Sequence, residues 1–182
     1  MQTPAKYHHV FDPGAPRTIQ VAASLLGTKE KPGGESNPAI LKWAAEVERA
    51  IDAPIGYSAD SIPWCGLFAA LVATRAGWAA QTPKQPLWAR NWRAFGVAAE
   101  RPAFGDVLVF SRGSAGHVGF YVGEGPGVFY VIGGNQGDAV SIVAVEKSRL
   151  LAARRPRWRV GPPPSRQRIW LGSAGIVSRD EA

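Results

Sequence analysis

Apolar residues in the first half of the chain recur at the three- and four-residue spacing of one helical face. Asn37 is expected to cap the helix that follows it, because its side chain can accept a hydrogen bond from the first turn and Pro38 suits the first helical position. The pattern predicts helices over residues 18–26, 38–51, from Cys65 to near Gly77, and over 87–95.

From residue 106 the pattern changes to short β-branched and aromatic runs that are separated by glycines. These runs predict strands over residues 106–110, 117–122, 128–132 and 139–145, with a last edge strand over 154–160. Short connections between such strands favour an antiparallel meander. Helices first and strands second indicate an α+β fold, with N-terminal helices, including the Cys65 helix, packed on an antiparallel sheet.

The length of 182 residues and the 46% hydrophobic content predict one domain with its own core. Three parts are expected. Residues 1–16 are an irregular lead-in that is rich in proline, residues 17–160 form the domain, and residues 161–182 form a Pro/Arg-rich tail with little to bury. A monomer is expected. No apolar run approaches the ~20 residues that span a bilayer, and no secretory signal is visible at the N-terminus.

The net charge of +7 lies in the last part of the chain. Residues 1–146 carry 12 basic and 12 acidic side chains, whereas residues 147–182 carry 9 basic and 2 acidic ones. Such a segment favours attraction to an anionic partner, here an envelope polymer or lipid that binds residues 147–168. A solvated basic edge that aids solubility is an equal alternative. No motif predicts a specific nucleic-acid site.

The single cysteine excludes an internal disulfide and is the candidate nucleophile. Cys65 opens a helix, where unpaired N–H groups and the helix dipole stabilise a thiolate. His117, at a strand start, is the candidate base. Symmetric pairing of the hairpin about residue 125 brings the end of the second strand, at residues 133–135, beside His117, so Asn135 is the candidate orienting residue. Taken singly, each of the three is more often a structural residue.

Metal and cofactor chemistry find no support in the sequence. One cysteine and one well-placed histidine are too few ligands for a zinc site, and no glycine-rich phosphate loop of common spacing is present. We therefore expect neither a metal nor a cofactor.

Five segments carry a family resemblance: WCGLF at 64–68, ARNW at 89–92, GDVLVF at 105–110, GHVGFYVG at 116–123 and GGNQ at 133–136. Over roughly residues 17–160 the chain resembles the NlpC-like and CHAP-like cysteine peptidases of the papain-like superfamily, in particular a phage- and prophage-associated branch. Gly66 departs from the alanine expected after the cysteine. The resemblance implies a papain-like fold and a Cys65–His117–Asn135 triad.

The same resemblance implies cleavage of a peptide or amide bond in bacterial peptidoglycan, through a thiolate–imidazolium pair and an acyl-enzyme. The protein is expected to be made in the cytoplasm and to act in the periplasm or cell wall after holin- or secretion-system-mediated export, in phage lysis or entry or in attack on a rival cell. The candidate substrate-binding residues are Tyr57, Asp60, Trp64, Arg90, Trp92 and Gln136, with Trp88 beside them.

Two other functions fit the same residues. The protein can be a catalytically idle module that binds the cell envelope or another polyanion through its basic segment. It can also be a thiol-dependent acyltransferase, because the same acyl-enzyme can pass its acyl group to an amine or lipid instead of water.

Overall fold

The computed structural model describes residues 4–158, 161–173 and 177–178. Its three α-helices lie in the first half of the chain, as predicted. Asn37 caps the second one, since its Oδ1 accepts a hydrogen bond from the Ala39 backbone N–H at 2.9 Å, with Pro38 in the first turn. The helices are α1 (Arg17–Ser24), α2 (Pro38–Ile51) and α3 (Cys65–Arg75). The helix predicted over 87–95 is a 3-10 helix, Ala89–Ala94.

Six strands form one antiparallel sheet, which confirms the predicted α+β class and is consistent with a CHAP or papain-like fold. Four consecutive strands make the predicted meander, and the spatial order is β1-β6-β2-β3-β4-β5. The strands are β1 (Val97–Ala98), β2 (Val107–Arg112), β3 (Ala115–Gly125), β4 (Val128–Gly133), β5 (Ser141–Glu146) and β6 (Leu150–Arg155).

The last strand differs from its prediction in its residue range and in its place in the sheet. It covers Leu150–Arg155, and it lies between β1 and β2 instead of at the edge of the sheet. Of the predicted range 154–160, residues 156–158 are not in a strand, and residues 159–160 lie outside the described residues. The edge is formed by β1, whose two residues pair with Arg154 and Arg155. A two-residue strand is too short to show alternation, so no sequence pattern predicts it.

The catalytic candidate Cys65 begins the most deeply buried helix. Every residue of α3 from Cys65 to Ala73 is buried. The helix packs on the sheet face that carries Phe120, whose ring lies 6.2 Å from that of Phe68 in a T-shaped arrangement. A smaller apolar cluster around Tyr121 and Phe129 covers the opposite face. The sheet therefore supports α3 along its length and fixes where its first residue lies.

Both terminal segments contribute to the core, unlike the prediction. A 3-10 helix, Ala5–Phe11, buries Tyr7 and Val10. At the other end, the backbone N–H of Leu171 donates to the Glu124 carbonyl at 2.8 Å, and Leu171 packs on the core. Glycines on β3 permit this approach, because a Cβ at Gly125 would lie 1.8 Å from the Gly172 carbonyl oxygen. Residues 174–176 and 179–182 of the predicted tail lie outside the described residues.

Within the described part of the chain, no helix combines the length and apolar character needed to cross a membrane.

Candidate active site

Cys65 lies at the first position of α3, after Trp64, and its side chain is only 3% exposed. The backbone N–H of Val118 lies near enough to the thiol to act on its pKa. Since Val118 follows His117 directly, the thiol lies near the strand segment that carries the predicted base. Burial raises the pKa of the Cys65 thiol, while the Val118 N–H, the Arg112 guanidinium and the N–H groups of the helix start act in the opposite direction.

Gly66 has a steric reason to be glycine. A Cβ at this position would lie 2.3 Å from the Pro86 carbonyl oxygen and 2.5 Å from the Leu87 carbonyl oxygen. The chain segment at residues 86–88 therefore runs against the first turn of α3, and the alanine expected there does not fit. This contact closes one side of the site around Cys65.

His117 is fully buried, and its Nε2 lies 2.9 Å from Gln136 Oε1. The orientation of the Gln136 amide follows from its other contacts, because its Nε2 donates to the Ser141 carbonyl at 2.6 Å. The amide oxygen must then face His117 and accept a proton from Nε2–H. Gln136 thus fixes the tautomer in which Nδ1 is the basic nitrogen of the ring.

Asn135 adopts a left-handed backbone conformation with φ 56°. Its Oδ1 accepts a hydrogen bond from the Trp64 backbone N–H at 2.9 Å, and its Nδ2 donates to Glu30 Oε1 at 3.2 Å. The prediction that Asn135 orients His117 is therefore corrected: its neighbour Gln136 makes that contact, and Asn135 holds the residue before the cysteine. Gly134 allows this packing, since a Cβ there would lie 2.6 Å from Phe68 and Trp64 atoms.

The sequence does not mark Glu30, yet this residue braces Trp64 and Asn135 on the cysteine side of the site. Its Oε1 accepts hydrogen bonds from Trp64 Nε1 at 2.5 Å and from Asn135 Nδ2 at 3.2 Å. Burial raises the pKa of this carboxyl, and the bond from Trp64 acts in the opposite direction. Glu30 lies in an irregular loop before α2, where neither periodicity nor spacing marks it.

Three of the predicted substrate-binding side chains have structural partners. Trp64 and Trp92 are fully buried, and Trp92 Nε1 donates to the Pro86 carbonyl at 2.9 Å. Asp60 is buried and accepts the backbone N–H groups of Asn37 and Lys31; burial acts to raise its pKa, but these bonds hold it below the ordinary value. These contacts assign the three side chains to the framework of the cleft rather than to its open surface.

Of the remaining candidates, Arg90 and Tyr57 lie nearer the surface, whereas Gln136 is buried. Arg90 donates from Nε to the Ala115 carbonyl at 2.8 Å and from Nη2 to the Gly113 carbonyl at 3.0 Å, so it braces the β2–β3 turn that leads to His117. Tyr57 is half-buried, and its hydroxyl lies 3.4 Å from the Ile62 carbonyl oxygen. Gln136, also a candidate, is buried against His117.

Much of the basic segment is engaged within the molecule. Arg155 donates to both carboxylate oxygens of Asp106, at 3.0 and 2.6 Å. Lys147 and Arg168 both bind Glu124, and although burial acts to raise the pKa of that carboxyl, the two cations hold it at about 2. Arg154 donates to the Phe95 carbonyl at 2.7 Å. Much of the predicted polyanion surface is therefore used to fasten the end of the chain to the sheet.

Comparison with protein families finds one similarity, which covers less than half of the chain. The CHAP domain matches residues 57–135, a range that begins before Cys65, contains His117 and ends at Asn135. The match confirms the predicted resemblance to CHAP-like, papain-like cysteine peptidases. CHAP domains are typically hydrolases that act on peptidoglycan. A search of curated proteins finds no match.

Proposed function

We propose that this protein is a cysteine hydrolase that cleaves a peptide or amide bond of peptidoglycan, with Cys65 as nucleophile, His117 as base and Gln136 as the residue that orients His117. The observation that carries the proposal is the fixed imidazole, since Gln136 Oε1 accepts a hydrogen bond from His117 Nε2 at 2.9 Å. The Cys65 thiol lies near the next residue of the same strand, because the Val118 N–H acts to lower the pKa of the thiol. Acyl transfer by a thiol needs a nucleophile, a nearby base and a group that orients the base, and these three residues can supply them.

The reaction begins with a neutral pair rather than a preformed thiolate–imidazolium pair. Burial raises the pKa of the thiol, so the proton passes from Sγ to His117 Nδ1 as Sγ attacks the substrate carbonyl carbon. The Cys65 backbone N–H donates to the oxyanion that forms. His117 then protonates the departing amine, which leaves a thioester on Cys65. A water molecule, deprotonated by His117, attacks this thioester and releases the new carboxyl group and the thiol.

The decisive experiment is digestion of purified sacculi by the purified protein. We expect soluble muropeptides and new amino groups from the wild type, and none above background from Cys65→Ala or His117→Ala. Glu35→Gln is the matched control, because Glu35 is exposed and binds only Lys31 among the described contacts. Equal release by Cys65→Ala would contradict the proposal. Mass spectrometry of the fragments separates an amidase, which frees the stem peptide from the sugar, from an endopeptidase.

We propose that the site of action is the periplasm or cell wall, where the substrate lies, during phage lysis or entry or attack on a rival cell. Export by a holin or a secretion system would bring the enzyme there. The supporting argument is the substrate class indicated by the CHAP match. Expression in bacteria with and without a fused export signal tests it: lysis is expected only with export, and lysis without export contradicts it.

We propose that the basic segment at residues 147–168 adds a long-range attraction to anionic envelope polymers. The net charge of +7 supports this, together with Arg168, whose side chain is 56% exposed even though it binds Glu124. Binding to envelopes should weaken as salt rises, because exposed charges are screened. Binding that is independent of salt would contradict the proposal.

A further inference from the structure

Trp88 presents a large aromatic surface to solvent. Its side chain is 69% exposed, whereas Trp64 and Trp92, the other two tryptophans near the site, are fully buried. An indole is largely apolar, and exposing it to water sacrifices the free energy that burial would supply. A single exposed aromatic side chain is ordinary on a protein surface, so what makes Trp88 a candidate binding residue is its place in the segment next to Cys65.

The position of Trp88 is set by the first turn of α3. Gly66 directly follows Cys65, and its Cα approaches the Pro86 and Leu87 carbonyl oxygens so closely that a Cβ would lie 2.3 and 2.5 Å from them. Trp88 is the next residue of that segment. The exposed indole thus belongs to the chain that borders the nucleophile.

The backbone around Trp88 is held on both sides. Its N–H donates to the Gln85 carbonyl at 3.2 Å, and its own carbonyl accepts the Asn91 N–H at 2.9 Å. The Asn91 side chain donates to the Lys84 and Gln85 carbonyls at 3.2 and 3.1 Å. The backbone that carries the indole is therefore fixed before a ligand arrives, which removes the backbone part of the entropy lost on binding.

We propose that Trp88 is a sugar-binding residue: its indole face stacks on a pyranose ring of the glycan strand while the attached stem peptide lies across Cys65. The C–H-bearing face of a sugar ring is an apolar surface that an aromatic face can cover. The inference rests on the proposed function and narrows it. A sugar site this near the nucleophile means that the cleaved bond lies close to the glycan strand.

The test compares two substrates, a muropeptide that keeps its sugars and the same stem peptide without them. Trp88→Ala should raise the KM for the muropeptide about fivefold to tenfold, the loss expected for one aromatic stacking contact. The KM for the free peptide and kcat for both substrates should stay unchanged. Trp88→Phe should keep part of the effect. Trp170→Ala is the matched control, because it removes an indole of similar exposure (62%) from a residue whose backbone forms a β-bridge with Glu124.

An equal loss on both substrates, or no loss on either, would overturn the sugar site while the hydrolase proposal stands. Binding of peptide-free glycan strands to the Cys65→Ala protein supplies a readout that does not depend on hydrolysis. Trp88→Ala in that background should weaken this binding by the same factor, and unchanged binding overturns the inference even if the protein hydrolyses nothing.

Discussion

The two halves of the candidate site are held by different kinds of structure. On the histidine side, the Gln136 side chain that binds His117 is itself anchored to the Ser141 carbonyl of the neighbouring strand. On the cysteine side, Trp64 is held by the side chains of Asn135 and Glu30, the latter from a loop before α2. The sheet therefore supports His117, the proposed base, and a loop far away in the sequence supports the segment next to Cys65, the proposed nucleophile.

This difference assigns neighbouring residues to different tasks. Asn135 is bonded on the cysteine side and Gln136 on the histidine side, although they are adjacent in the chain. The left-handed conformation of Asn135, favoured by Asn among residues with a side chain, lets the two side chains reach opposite partners. A shift of this dipeptide would disturb both catalytic groups at once.

The largest effect is expected from filling the space beside the nucleophile. Gly66→Ala should destabilise the fold by about 3 kcal/mol, because the new Cβ meets two backbone carbonyls that cannot easily move. Thermal unfolding should show a Tm lower by roughly 6–12 °C. Gly34→Ala is the control, since no atom lies within 4 Å of a Cβ there. An unchanged Tm for Gly66→Ala would mean that residues 86–88 move aside.

The next largest effect is expected from removing Gln136, the partner of His117. Gln136→Ala should lower kcat about 100-fold with little change in KM, because the imidazole loses the contact that fixes its tautomer. Loss of an acceptor at Nε2–H destabilises imidazolium, so the acidic limb of the pH–rate profile should move to lower pH. Asn135→Ala should leave the acidic limb in place. Gln167 is exposed, so Gln167→Ala should change neither kcat nor the position of that limb. If the acidic limb moved in Asn135→Ala instead, Asn135 rather than Gln136 would be the residue that orients His117.

A smaller loss of activity is expected from removing Glu30, which lies in the loop that supports the cysteine side of the site. Glu30→Ala should lower kcat/KM about tenfold, since Trp64 Nε1 and Asn135 Nδ2 lose a shared acceptor. Glu30→Gln keeps an acceptor oxygen and should recover most of the activity. Full activity in Glu30→Ala would show that the sheet alone positions both catalytic groups.

The smallest effect concerns the ionisation of the thiol. Burial raises the pKa of Cys65, so thiolate is scarce at neutral pH and forms only as the pH rises. The rate of iodoacetamide alkylation of the free enzyme should climb with pH and have its midpoint above about 8.5, the ordinary thiol value. A rate that is already constant at pH 6 would indicate a preformed thiolate–imidazolium pair.

Periodicity and hairpin spacing were sufficient to predict the α+β class, the three α-helices and the meander, because local patterns determine those elements. They also came within one residue of the group that holds His117. The register Phe120↔Ile132, extended along the strands, does bring residue 135 opposite residue 117. Pairing ends before that point, however, and the left-handed turn at Asn135 brings Gln136 to the imidazole instead.

What the sequence did not reveal depends on contacts between distant segments. Glu30 meets Asn135 across 105 positions of the chain, and no local pattern encodes such a meeting. The packing of Leu171 on β3 depends in the same way on glycines that are far from it in the sequence. The tight fit at Gly66 was visible only as a departure from an expected alanine, and the carbonyls of residues 86 and 87 give its cause.

The position of Glu30 also limits how the molecule can be divided. The CHAP match begins at residue 57 and ends at residue 135, so it excludes both Glu30 and Gln136. A chimaera assembled at those boundaries would inherit the nucleophile and the base but neither of the side chains that brace them. Recombination or truncation that preserves activity must therefore carry the loop before α2, and the loop from β4 to Ser141 at the start of β5, together with the matched segment. The exchangeable module is then larger than its recognisable sequence.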